Sequence, residues 1–292
     1  MANENFKRMP KNILQGILFV LVAILFTLSL RIFLFTTFKI PSSSMEPAIM
    51  AGDFIFVNKL IPGTRIFKNL DFLKGTQIKT KRFKGIRDIK RNDVLVFNFP
   101  YESDWGKIEM DLSVNYVKRC IAIPGDTFCI DKGIYKIKNC SDVLGQLFHQ
   151  ENLSNMPDST FQHEIWNCFP FDTNYRWNAK NFGPLYIPGK DSKIEIDTLN
   201  ILLYKNIIEY ETNKYVSVWN GSVYLDGEEL NIYIFEQNYY FMSGDFVFDS
   251  KDSRYWGLLP EDHVIGKAAF IWKSKDIHTN KHRWNRFFKK IK

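Results

Sequence analysis

The sequence is poor in the residues that build metal centres. Its 292 residues include four cysteines (Cys120, Cys129, Cys140 and Cys168), and no two of them form a C-x-x-C pair. The five histidines, His149, His163, His263, His278 and His282, are scattered. Both facts argue against a structural zinc site, and nothing in the pattern calls for a metal or a cofactor. The even cysteine count still permits disulfides, with three possible connectivities. Long apolar runs are equally scarce. Only one stretch, near the N-terminus, reaches membrane length.

That stretch follows Lys7, Arg8 and Lys11. It runs from Ile13 to Leu30 without a charge, passes Arg31, and continues apolar to Phe38. As a helix, eighteen residues reach about 27 Å and the run to Phe38 about 39 Å. Arg31 can snorkel toward the headgroups from its position. A cleavable signal peptide predicts a shorter apolar core followed by an A-x-A-like site. The run is too long for that, and Leu30-Arg31-Ile32 and Thr36-Thr37-Phe38 are poor cleavage sites. The expectation is an uncleaved signal anchor over 13–38. Segment 1–12 is expected to be cytoplasmic because basic residues precede the span. No second stretch approaches spanning length, so the roughly 250 residues that follow are expected outside the cytoplasm.

What is abundant is aromatic: 16% of the residues, against disorder and in favour of β packing. The net charge is +7. Much of it lies in a basic stretch from Arg65 to Arg91, where Arg65, Lys68, Lys74, Lys79, Lys81, Arg82, Lys84, Arg87, Lys90 and Arg91 face only Asp71 and Asp88. The stretch reads as a solvated loop or as a surface for anionic lipid; the expected location disfavours nucleic acid.

Strands are expected over 54–57, 94–97, 116–123, 128–137, 239–242 and 264–272, with Asp226-Gly227 as a tight hairpin turn. Between them, 141–215 is an irregular insertion, expected as a second lobe. It holds one helix, capped by Asp197 or Thr198, with Leu199, Leu202, Leu203 and Ile207 on one face. In the tail, 274–292, Trp284, Phe287, Phe288 and Ile291 recur at i, i+3, i+4 and i+7 among basic residues. That spacing predicts a basic amphipathic helix at the membrane surface, with a docked or frayed tail as the alternative.

Three clusters carry candidate chemistry. Ile40-Pro41-Ser42-Ser43-Ser44-Met45-Glu46-Pro47 sets a hydroxyl a few residues past the span, able to act only near the membrane. Tyr116-Val117-Lys118-Arg119 puts two cations on opposite faces of an apolar strand. Of the two, only a lysine can lose its proton, and burial would have to lower its pKa by about 3 units for it to act as a base. A structural ion pair is the plainer reading of Lys118. The third cluster runs from Gly244 to Gly257, where glycines, short polar residues and an Asp/Arg pair predict a tight self-bonded loop.

In this order and spacing the clusters resemble the type I signal peptidase family, membrane-anchored Ser/Lys endopeptidases. Further boxes agree: Gly52-Asp53-Phe54-Ile55-Phe56-Val57, Asp93 to Phe97, Ile123-Pro124-Gly125-Asp126 and Pro260 to Ala268. The resemblance implies a mostly antiparallel β-sheet catalytic domain, 39–140 with 216–273, on the outer face of a bacterial inner membrane.

It also implies site roles. Ser44 would be the nucleophile, Lys118 the general base and Ser250 the group that orients the lysine. The Ser44 N–H and the Ser42 hydroxyl would form the oxyanion hole, and Asp252 with Arg254 would brace the loop. Ile40, Pro41, Met45, Ile49, Tyr116 and Val117 would line pockets for small side chains, giving an Ala-x-Ala preference. The implied partners are signal peptides of exported preproteins and membrane lipid, with the secretion translocon as a possible neighbour. One departure stands out: Phe246-Val247-Phe248 replaces the polar residues that usually follow Gly-Asp. A self-cleaving repressor-type Ser/Lys protease would be a soluble chain with a DNA-binding module, and the anchor counts against it. The rival from another class is an inactive, membrane-anchored binding or scaffold protein.

Overall fold

The computed structural model describes residues 11–68, 78, 80–102, 105–160 and 167–292. Lys7, Arg8, Asp71, Lys74, Lys79 and His163 lie outside the described residues, as does most of the segment 1–12.

Helix α1 (Lys11–Phe33) has no buried residue. Among the described residues it is the one helix long and apolar enough to cross a membrane. It stops at Phe33, short of the expected Phe38. The next residues, Phe-Thr-Thr-Phe-Lys, are mostly β-branched or aromatic and form strand β1 (Phe35–Lys39) instead. Side chains from the β domain cap the helix. Lys59 Nζ donates to the carbonyls of Arg31 at 2.9 Å and Ile32 at 3.0 Å, and the Thr64 hydroxyl donates to that of Phe33.

Strand β1 opens an eight-stranded antiparallel sheet, as the aromatic and β-branched runs lead one to expect. Its other strands are β2 (Asp53–Asn58), β3 (Val94–Phe99), β4 (Asp111–Ala122), β5 (Tyr239–Ser243), β6 (Leu259–Pro260), β7 (Val264–Ser274) and β8 (Lys289–Lys290). In space they run β1-β2-β7-β3-β4-β5-β6, and β8 pairs with β7. Every residue of β3 is buried, because the sheet has apolar packing on both faces. Leu95, Phe97 and Phe99 point into a larger core. Val94 and Val96 point into a smaller one with Ile40, Met45, Ile49, Ile55, Val57, Ala268, Ile271 and Ile291.

The insertion 141–215 shares the larger core. Its helix α3 (Ile201–Thr212) buries Ile201, Leu203, Tyr204, Ile207 and Ile208 there. Its strand Phe182–Tyr186 pairs with Thr127–Asp131, and Lys193–Glu195 pairs with Ile232–Ile234. It is therefore not a lobe with a core of its own. Leu203 and Ile207 face inward as expected. Leu199 precedes the helix and is exposed, in a turn where the Asp197 carboxylate accepts the N–H groups of Leu199 and Asn200. The Asp226-Gly227 turn forms as expected, both residues at positive φ.

The tail corrects its expectation more sharply. Residues 284–286 form one 3₁₀ turn and 289–290 form β8, so no amphipathic helix exists. Ile291 enters the smaller core, whereas Trp284 and Phe288 stay exposed. Buried Asp53 decides this arrangement. Its carboxylate takes Arg286 at 2.6 Å, the Ser274 hydroxyl at 2.6 Å and the Met50 N–H at 2.8 Å. A helical tail would withdraw Arg286 and leave a buried charge uncompensated. Replacing it, Arg286→Ala, is expected to cost about 3–5 kcal/mol in unfolding free energy. Lys136→Ala, at the exposed pair with Asp131, leaves stability unchanged, and denaturant titration of both variants checks the contrast.

Candidate active site

Ser44 lies in the turn that joins β1 to β2. The turn closes on itself through Glu46 N–H to the Ser43 carbonyl at 2.8 Å and Ile49 N–H to the Met45 carbonyl at 2.9 Å. Met45 and Ile49 drive their side chains into the smaller core, 1% and 0% exposed. That fixes the turn from below and leaves the half-buried Ser44 on its upper side. From the other direction the loop after β5 holds it. The Ser44 carbonyl accepts the Phe246 N–H at 3.1 Å, and the Ser43 hydroxyl donates to Asp249 at 3.0 Å.

Strand β4 presents the second group. Alternation sends Lys118 to one face and Arg119 to the other. Arg119 forms a buried two-pronged pair with Asp245, both contacts at 2.6 Å. Lys118 reaches the Ser44 turn, and its Nζ lies 2.5 Å from Ser44 Oγ. The amine is 4% exposed, and burial brings its pKa down to about 8; Asp252 opposes that shift and Arg254 adds to it. At neutral pH an appreciable fraction of Lys118 is therefore unprotonated. In that form its lone pair can accept the Ser44 proton across the same contact. The Tyr116 ring lies 5.7 Å from the amine on the same strand face.

The third cluster folds as the tight loop the sequence predicts. Asp252 and Arg254 are fully buried and paired through two contacts of 2.8 Å. Asp252 also accepts the Gly244 N–H at 3.0 Å and caps helix α4 (Ser253–Trp256), while Arg254 donates to the Val247 carbonyl at 2.9 Å. Burial alone would raise the Asp252 pKa, but Arg254 and the hydrogen bonds hold it below the usual value. Ser250 is buried against Gly244, yet its hydroxyl makes no hydrogen bond, so the expected bond to Lys118 is not formed.

Among the expected pocket residues, Ile40, Met45 and Ile49 are core residues. Pro41, Tyr116 and Val117 retain accessible surface, and Ser42 is exposed two residues ahead of Ser44. The unusual Phe246-Val247-Phe248 is absorbed by packing. Val247 enters the larger core, and Phe246 and Phe248 flank His149 of helix α2 (Leu147–Asn155), with ring centroids 5.0 and 6.4 Å away. All four cysteines are free thiols. Among the described residues, no three His, Cys, Asp or Glu side chains group as metal ligands.

Sequence reasoning missed a set of buried carboxylates along the sheet. Asp53, Asp93, Asp126 and Asp245 pair with Arg286, Arg87, Arg91 and Arg119. Each follows a Gly or Asn at a strand end (Gly52, Asn92, Gly125, Gly244), a recurrence that could have flagged them.

A family profile described as "Signal peptidase, peptidase S26" matches residues 13–273, from inside α1 to the last turn of β7. The chain belongs to this peptidase family. Among its relatives, the Signal peptidase I of Buchnera aphidicola from Acyrthosiphon pisum is 32% identical over 255 residues, covering 86% of this chain and 72% of the relative. The Signal peptidase I of Pseudomonas fluorescens is 27% identical, with 85% and 68% covered. That of Haemophilus influenzae is 27% identical, with 94% and 74% covered. The profile match contains Ser44 and Lys118 and ends before the Arg283–Arg286 segment that clasps Asp53.

In this member of the family Gly244 is sterically committed. A Cβ there would sit 2.2 Å from Ser250 Oγ and 2.6 Å from the Ser44 carbonyl. Gly244→Ala therefore displaces the Ser44 turn and is expected to lower turnover by about 100-fold with the fold retained. Peptidase assay beside circular dichroism checks this.

Proposed function

We propose that this chain is a membrane-anchored serine endopeptidase that removes signal peptides from exported preproteins, cutting after small residues of Ala-x-Ala type. The observation that carries the reading is the 2.5 Å contact between Lys118 Nζ and Ser44 Oγ in a buried setting, within a chain of the signal peptidase family. Neutral Lys118 takes the Ser44 proton as Oγ attacks the scissile carbonyl. The oxyanion is received by the Ser44 N–H and the Ser42 hydroxyl, where losing one donor typically costs about 3 kcal/mol in the transition state. The protonated amine then passes its proton to the departing amine. Water resolves the acyl-enzyme with the same lysine as base. Ser250 is assigned as the group that orients the amine on the family pattern, and its hydroxyl would have to turn toward Lys118 to do so.

Helix α1 anchors the domain in the bacterial inner membrane with its N-terminus cytoplasmic. The site then lies on the outer face, where the signal peptide's cleavage region leaves the bilayer beside lipid and the translocon. Pro41, Tyr116 and Val117 offer the accessible surface for the small side chains before the cut, over a floor made by Ile40, Met45 and Ile49.

Cleavage of a signal-peptide-bearing preprotein by the detergent-solubilised chain tests the reading. Wild type is expected to cut after a small residue, Ser44→Ala to give no product, and Lys118→Ala to lose about 10²–10⁴-fold. Folded wild type that cuts none of several preproteins overturns the peptidase reading in favour of an anchored binding protein.

The pH profile follows from the amine. Only its neutral form is active, so kcat/KM rises with pH and levels off above about 8. The same depressed pKa carries a stability cost below pH 8, about 3 kcal/mol, that shrinks as pH rises from 8 to 10.5. Lys118→Met is accordingly expected to be inactive but more stable than wild type at pH 6, with the advantage fading toward pH 10. Thermal melts at the two pH values read this directly.

A further inference from the structure

We infer that the hairpin after α1 is a second membrane contact, its outer face resting on the headgroup layer that α1 crosses and binding anionic phospholipid. The hairpin pairs Arg65–Phe67 with Thr80–Arg82, setting Arg65 opposite Arg82 and Ile66 opposite Lys81. The two faces differ in chemistry. Arg65 and Arg82 turn inward and grip the β domain: Arg65 donates to the Asp262 carbonyl at 2.8 Å, and Arg82 to the carbonyls of Glu261 at 2.8 Å and Val264 at 2.6 Å. Ile66 and Lys81 turn outward into solvent.

The same outward exposure continues in the next residues. Phe83 is 53% exposed and Ile86 71%, with exposed Lys84 between them. Of the six cations from 80 to 91, Arg82, Arg87 and Arg91 bond back to the protein, which leaves Lys81, Lys84 and Lys90 exposed with one acid, Asp88. Large apolar side chains alternating with lysines suit the boundary between headgroups and acyl chains, not water alone.

Continuity with the anchor selects lipid as the occupant. Phe83 N–H donates to the Thr64 carbonyl at 2.9 Å, and Ile86 N–H to that of Leu60 at 2.8 Å. Lys59 and Thr64, in that same 59–64 loop, cap the last turn of α1. The loop therefore stands within roughly 10 Å of the point where α1 ends, about three residues of extended chain. This inference rests on α1 as a membrane span and is independent of the peptidase chemistry.

The test uses the full chain with Cys129→Ser and Cys140→Ser, carrying Ile86→Cys labelled with an environment-sensitive fluorophore. It is reconstituted into phosphatidylcholine vesicles with or without phosphatidylglycerol. A blue-shifted emission is expected with phosphatidylglycerol, reversed by 1 M salt and by the double change Lys81→Glu, Lys84→Glu. Thermal melting of that variant confirms that it is folded. A shift indifferent to lipid charge overturns the anionic contact. Emission as in water in both vesicles overturns the membrane contact altogether and leaves the face to solvent or to a protein.

Discussion

Desolvation of one ammonium group is the constraint on which the catalytic half of the structure depends. In the proposed mechanism Lys118 has to be buried to shed its proton near neutral pH, and it has to stay within 2.5 Å of a hydroxyl 74 residues away in the chain. Burial alone would invite water or a carboxylate to rescue the charge. The nearest carboxylates are committed elsewhere: Asp252 to Arg254, Asp245 to Arg119, Asp249 to the Ser43 hydroxyl. These acids still favour the protonated lysine from a distance, but none bonds to its amine, and burial outweighs them. The arrangement is costly, and the two cores on either side of the sheet supply the apolar burial that offsets it.

Buried Arg–carboxylate pairs contribute little net stability by themselves, because desolvation consumes most of their attraction. Their effect here is on geometry. Asp53 ties the end of the Ser44 turn to the tail, with Arg286 also reaching the Ala48 carbonyl and Arg283 the Ala51 carbonyl. Asp245 ties the loop after β5 to β4, one residue from Lys118. Asp252 holds Gly244 by its N–H, and Gly244 in turn leaves room for nothing but hydrogen between Ser250 and Ser44. A single mismatch in this chain of contacts would expose an unpaired charge, so the turn has one geometry available to it.

Local pattern made much of the scaffold legible in the sequence. The apolar run, the alternating strands, the Asp226-Gly227 turn and the inward facing of Leu203 and Ile207 on α3 follow from spacing alone. The opposite facing of Lys118 and Arg119 was legible for the same reason. What spacing could not show was whatever depends on a distant partner. Phe35–Phe38 looked like more membrane helix because its apolar content matched; pairing with β2 made it a strand. Trp284, Phe287, Phe288 and Ile291 have helical spacing, but Asp53 takes Arg286 and β7 takes Lys289 and Lys290. Ile40, Met45 and Ile49 could not be told apart as pocket wall or core until the sheet behind them was known. The unpaired Ser250 hydroxyl likewise has no signature in the sequence.

The clasp on Asp53 also has a consequence in time. Arg283 and Arg286 are synthesised after every strand of the sheet except β8, so while the rest of the domain emerges the Asp53 carboxylate has no cation. The turn that carries Ser44 is then braced on one side only. A partly made chain that has α1 and the sheet but not the tail would hold this turn less rigidly. The clasp therefore forms only once Arg283 and Arg286 have been added, just ahead of β8.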